Sequence, residues 1–260
     1  MNFNLPFIPD RTKKTRNEGI NMVMDKGLSV NEAINFIQSC SDYVDFVKFG
    51  FGTSIVTNSL EQKIKLYKEA NINVYLGGTL FEAFTIRGQF DKYVELLDRY
   101  SIDTVEVSDG SLKMEHAEKC KYISLLAKNR KVLSEVGSKE AGILISPGKW
   151  IKMMQDELNA GSFKVIAEAR ESGNVGIYRP NGNAHATLIE KICSKISEKN
   201  IIWETPLKSQ QVWFVKMFGA NVNLGNIPPN EVIPLETIRL GLRGDTFFHF
   251  LPDELKELHN

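Results

Sequence analysis

No stretch of about 18 apolar residues occurs in the chain, so no segment is long enough to cross a bilayer as a helix. Residues 1–17 lack the apolar core of a secretory signal, and the expected compartment is the cytoplasm. Only three cysteines are present, Cys40, Cys120 and Cys193. They form no CxxC pair, and an odd, scattered set is not a disulfide framework. Each falls in a helical stretch, where a small buried hydrophobe is expected. The four histidines, His116, His185, His249 and His259, share no paired spacing, which argues against zinc. Net charge is also missing: 32 Lys and Arg balance 32 Asp and Glu. No global basic field therefore points to nucleic acid, although a zero sum can hide local clusters. There is no GxGxxG loop after the first strand candidate, and no linker or low-complexity tract.

What the chain does have is rhythm. Short apolar runs cover residues 20–24, 44–49, 72–76, 104–107, 131–136, 163–167, 201–204 and 221–224. Between them lie segments with helical periodicity: 29–40, 59–70, 89–100, 112–129, 147–160, 184–199, 207–218 and 234–242. Ser29 with Glu32, and Ser59 with Gln62, have capping-box spacing, and Pro147 sits where a helix tolerates a missing N–H. Eight strand–helix pairs in 260 residues, 42% of them hydrophobic, predict an α/β fold. The architecture expected is a single-domain (β/α)8 TIM barrel over residues 1–260, with an open doubly wound sheet as the competitor. Trp150 and Trp213 are candidates either for core packing or for a homo-oligomer interface.

The strand ends carry the chemistry, because catalytic groups in this fold project from the C-terminal ends of strands. Those ends read Asp25-Lys26-Gly27, Lys48-Phe49-Gly50, Gly77-Gly78-Thr79, Glu106-Val107-Ser108-Asp109, Glu135-Val136-Gly137, Glu168-Ala169-Arg170-Glu171, Glu204-Thr205-Pro206 and Asn223-Leu224-Gly225. A charge in an apolar strand must be paired, hold a metal or face a polar cavity. Glu106, Glu135, Glu168 and Glu204 come from four units and form a candidate carboxylate cluster, a donor set that favours Mg²⁺. The plainer alternative is a ring of salt bridges with Lys48 and Arg170. Phosphate sites in such barrels often use the last loops, which directs attention to Asn223, Gly225 and Arg243.

Several segments are also familiar. DFVKFGFGTS (45–54), YLGGTLFE (75–82), VEVSDGS (105–111), VLSEVGSK (132–139), EARESG (168–173), WETPLKSQQVWF (203–214), NVNLGNIP (221–228) and EVIPLETIRLGLRGDTF (231–247) occur in order along the domain. Together they make the chain resemble the phosphosulfolactate synthases, whose archaeal members begin coenzyme M biosynthesis. The resemblance implies a Mg²⁺-dependent lyase that adds sulfite to phosphoenolpyruvate, giving (2R)-O-phospho-3-sulfolactate. Ser138 departs from the basic residue of archaeal members, and 140–146 is shorter than in them. Under this reading Lys48, Lys139 and Arg170 are the catalytic candidates, with Lys139 as general acid. Lys26, Ser108, Asn223, Gly225 and Arg243 are assigned to substrate binding. The partners expected are small molecules, with no nucleic acid and no membrane. The alternatives are a non-catalytic barrel related to a plant heat-stress-associated protein, or another phosphoenolpyruvate-type lyase. A Schiff-base aldolase would want a lysine inside the sixth strand, and Lys164 lies at that strand's start.

Overall fold

Side chains alternate across a strand, so each short run divides into an outward set and an inward set. The structure, a computed structural model, describes residues 2, 4–137, 145–169 and 172–257. Its strands are β1 (Asn21–Met24), β2 (Phe46–Lys48), β3 (Asn73–Tyr75), β4 (Thr104–Val107), β5 (Lys131–Val136), β6 (Lys164–Ala167), β7 (Ile201–Glu204) and β8 (Leu224–Ile227). The helices are α1 (Val30–Cys40), α2 (Leu60–Glu69), α3 (Gly78–Thr85), α4 (Phe90–Arg99), α5 (His116–Leu126), α6 (Pro147–Asn159), α7 (Ala186–Cys193), α8 (Lys208–Phe218), α9 (Val232–Arg239) and α10 (Asp253–Glu257). The sheet is parallel, in the order β3-β2-β1-β8-β7-β6-β5-β4. This is the expected (β/α)8 barrel. β3 and β4 close the ring as neighbours without a backbone ladder between them.

Outward residues such as Val23, Val47, Val74, Val105, Val132 and Val165 pack against the helices. Met22, Phe46, Tyr75, Leu133, Ile166 and Ile202 fill the barrel interior as a second, separate core. Each such side chain contributes roughly 1.5–3 kcal/mol by leaving water. Trp150 belongs to the outer core, and Trp213 is half-buried against Phe214. Cys40 is buried on α1, while Cys120 and Cys193 are half-buried on α5 and α7. No described helix is long and apolar enough to cross a membrane.

The first capping box is present. Ser29 Oγ accepts from Glu32 N at 3.2 Å, and Ser29 N donates to Glu32 Oε2 at 2.7 Å. The second is not: Ser59 adopts φ 55°, a left-handed conformation, and its side chain makes no capping hydrogen bond. Two boundaries also depart from expectation. β8 runs three residues later than the 221–224 run, since Leu224 lies in register with Asn21 of β1. The helix α3 follows β3 directly, where Gly77 and Gly78 read as a turn.

The N-terminal arm closes one end of the barrel. Arg11 pairs with Glu236 at 2.8 Å and Arg16 with Asp45 at 2.9 Å. Buried Arg239 donates to the carbonyls of Ala220 and Val222 and to Asn21 Oδ1. The opposite, C-terminal end stays open.

Candidate active site

A cavity of about 630 Å³ occupies that open end, lined by Lys48, Glu106, Glu135, Glu168 and Glu204 among others. Strand parity places these groups there. Lys48 shares the inward face with Phe46, Glu106 with Thr104, Glu135 with Leu133, and Glu204 with Ile202. The Lys48 ammonium sits among three carboxylates, 2.9 Å from Glu106 Oε1, 3.6 Å from Glu135 Oε2 and 3.8 Å from Glu204 Oε1. Burial alone would discharge this lysine, but the attraction of Glu106, Glu135 and Glu204 outweighs it and holds its pKa well above the ordinary value. Glu204 moves the other way. Burial, then repulsion from Glu135, push it up to about 8 against the pull of Lys48.

The surroundings fix each carboxylate. Glu106 Oε1 also accepts from Gly78 N at 2.6 Å, at the start of α3. Glu204 Oε2 accepts from Ala169 N at 2.7 Å, and the Glu204 carbonyl accepts from Tyr178 Oη. Behind β5 the buried Lys119 holds the Glu135 carbonyl, Asp109 Oδ1 and Glu157 Oε1 together. Beneath the cluster the buried Tyr75 phenol faces Glu106 and Glu204. Burial, reinforced by those charges, keeps it protonated by raising its pKa well above the usual value. Glu106 Oε2 is buried without a hydrogen-bond partner among the described residues.

Comparisons with known proteins now bear on this geometry. Residues 9–245 match the model of the family described as (2R)-phospho-3-sulfolactate synthase (ComA). A phosphosulfolactate synthase of Methanothermobacter thermautotrophicus is 41% identical over 244 residues, covering 92% of this chain and 95% of the relative. The chain belongs to the phosphosulfolactate synthase family. A Bacillus subtilis phosphosulfolactate synthase is likewise 41% identical, covering 93% of this chain and 97% of its own. Membership places the protein among lyase-type enzymes. Among solved structures, 3-hexulose-6-phosphate synthase from Salmonella typhimurium aligns with a TM-score of 0.55 at 14% identity, covering 86% of this chain and 100% of that one. That likeness concerns the barrel alone.

Within this member of the phosphosulfolactate synthase family the expected residues separate into groups. Lys48 and the four glutamates Glu106, Glu135, Glu168 and Glu204 converge on the cavity. Lys26 is exposed at its rim and lines an adjoining hollow of about 170 Å³ with Phe51 and Asn226. Ser108 lies behind the wall, its hydroxyl donating to Glu82 Oε1. Lys139 and Arg170 lie outside the described residues.

Two assignments are corrected. Asn223 precedes β8 and sits at the closed end, its amide donating to the carbonyls of Lys199 and Ile201 and accepting from Ile20 N. Gly225 lies inside the barrel, where a Cβ would meet Met22 Cε at 2.7 Å and Ile202 Cγ2 at 3.0 Å; it is a packing glycine. The three-residue shift of β8 explains both. Asn226, rather than Asn223, lines the cavity from that strand. Arg243 follows α9, two residues before Asp245, which pairs with Lys208 at the start of α8. Thr79, Gly110 and Ser111 in the lining, and Tyr75 beneath it, are not among the candidate site residues named from the sequence. Thr79 stands in a strand-end segment, Gly110 and Ser111 in the 105–111 motif, and Tyr75 is the register partner of Lys48.

Proposed function

We propose that the protein adds sulfite to phosphoenolpyruvate in this cavity, forming (2R)-O-phospho-3-sulfolactate, with Mg²⁺ as cofactor. Family membership over nearly the whole chain carries the reading, and the wall chemistry agrees with it. Sulfite attacks C3, charge builds on the substrate carboxylate, and C2 is then protonated. Such a reaction needs fixed positive charge beside a trianion and a dianion that repel each other.

Among the described residues the cavity offers four carboxylates and one ammonium, a balance that would repel both substrates. The donor set suits a hard divalent cation, and the buried, unpartnered Glu106 Oε2 is one oxygen able to hold it. No three described His, Cys, Asp or Glu side chains are grouped as a metal cage. Mg²⁺ is usually held by one or two carboxylates together with substrate oxygens and water, so a cage is not required. Candidates are Glu106, Glu135, Glu168 and Glu204. Bound there, the ion would supply Lewis-acid stabilisation of developing negative charge.

Lys48 orders the carboxylates and presents a permanent positive charge to the substrate. Lys139 and Arg170, by residue type, supply the proton for C2 and a planar guanidinium for the anion. The test is to incubate purified protein with phosphoenolpyruvate, sulfite and Mg²⁺ and to detect the adduct by mass. The expected result is product that disappears when metal is stripped and returns with Mg²⁺. Full turnover after verified metal removal would reject the cofactor, and absence of adduct with Mg²⁺ present would reject the reaction.

A further inference from the structure

Besides Lys48, three lysines are buried among the described residues, and one of them is treated differently. Lys63 is buried with Asp25 Oδ2 at 2.6 Å, and Lys119 with Glu157 Oε1 at 2.8 Å. Lys164, the first residue of β6, is also buried, yet no carboxylate lies within ion-pair distance of it among the described residues. Its ammonium donates once, to the Lys199 carbonyl at 2.6 Å, and rests 4.8 Å from the Phe163 ring centroid. Lys131 lies 4.7 Å from the same ring, so two ammonium groups share one aromatic. A buried cation without a counter-charge is costly, and it either sheds its proton or takes up an anion.

Space for an anion is present. Lys164 opens on a cavity of about 490 Å³ at the closed end of the barrel, remote from the carboxylate cluster. Its walls include Lys13, Arg16 and Glu18 from the N-terminal arm, and Lys199 and Asn200 from the turn before β7. Four cations thus face one carboxylate. Arg16 is engaged with Asp45 and Lys199 with Glu18, which leaves Lys13 and Lys164 uncompensated. The arm is strapped down by Arg11 and Arg16, so this wall is preformed.

We propose that this pocket is a second ligand site, anchored by Lys164 and flanked by Lys13, that takes a small phosphate- or sulfonate-bearing anion. The state of Lys164 agrees. Burial lowers its pKa to about 8, with Lys131 adding to the fall and Glu18 opposing it. An incoming oxyanion would restore the charge and satisfy the remaining two donors. The volume fits a small metabolite and is too small for a polymer.

The experiment reads Lys164 itself. The protein is acetylated competitively with acetic anhydride, and the modification of each lysine is followed by mass spectrometry while inorganic phosphate is titrated in. Saturable protection of Lys164, with exposed Lys65 unprotected, is the expected result. Lys13→Glu, an exposed substitution, should weaken that protection about tenfold. Lys164→Met removes a buried charge at similar volume and should fold, with phosphate protection of Lys199, which lines the pocket, lost. Absence of saturable protection, or protection unchanged in Lys13→Glu, would overturn the proposal. A parallel titration with phosphoenolpyruvate decides the source. Tighter protection than by phosphate identifies a phospho-acid ligand, and equal protection identifies a phosphate-sized one.

Discussion

Lys48 and Glu204 show how one buried cluster can force two residues away from their ordinary titration. Lys48 remains charged because three carboxylates surround it. Glu204 holds its proton up to about 8 because burial, and then repulsion from Glu135, disfavour its charged form against the pull of Lys48. The consequence for stability has a definite sign. An unfolded glutamate loses its proton near the usual value of 4.5, whereas folded Glu204 retains it to about 8. Over that window the folded protein binds the extra proton, so this group makes stability fall as pH rises. Glu204→Gln should flatten the fall, by an amount on the order of a few kcal/mol at the upper end. Denaturant unfolding of both proteins in metal-free buffer from about pH 5 to about pH 8 would measure it. Parallel slopes would show that Glu204 is not the group responsible. These residues were legible beforehand because a charge in an apolar strand has few places to go. What a lone sequence does not carry is which carboxylate meets which cation, since that depends on the stagger between strands.

Among the elements, α3 shows where reading by pattern ran out and why. A pair of glycines after a strand has the chemistry of a turn, and the helix that follows is too short for its period to stand out. The glycines are there for proximity. A Cβ on Gly78 would lie 2.2 Å from Ser108 Oγ and 3.0 Å from Glu106 Oε1. Gly78→Ala must therefore push the start of α3 off Glu106 and disturb the oxygens around Lys48. A displacement of about 1 Å can cost on the order of 10²-fold in rate, and that is the expected loss. Gly148, in the first turn of α6, faces open space, and Gly148→Ala should gain roughly 0.5–1 kcal/mol of stability with activity intact. Rate assays and unfolding curves on the pair separate close approach from helix propensity. Equal activity in both variants would contradict the role given to Gly78. The displaced start of β8 has a similar origin. Residues 221–223 alternate polar and apolar like a strand, but the amides of Asn221 and Asn223 are engaged with the arm and with the carbonyls of Lys199 and Ile201 before the ladder begins.

At the scale of the whole molecule, zero net charge conceals two ends of opposite character. The cavity at the open end gathers carboxylates around one lysine, and the cavity at the closed end is lined by three lysines, an arginine and one glutamate. The fold was legible because eight repeats of strand and helix leave few topologies. The polarity was not, because it arises from which residues start the strands and which end them. The β3–β4 junction has a consequence of its own. Seven of the eight strand junctions are riveted by backbone hydrogen bonds; at this one the bridges run instead to the helix after β3, from Glu106 to Gly78 and from Ser108 to Glu82 of α3. It is the loosest stave in the cask, and one of its bridges is made by a carboxylate that also lines the open-end cavity. Breathing of the barrel should begin there. Native-state amide exchange should be faster along the facing edges of β3 and β4 than in β5–β8, and under the proposed function should slow when phosphoenolpyruvate is added. Uniform protection around the ring would show the joint to be sealed by packing alone.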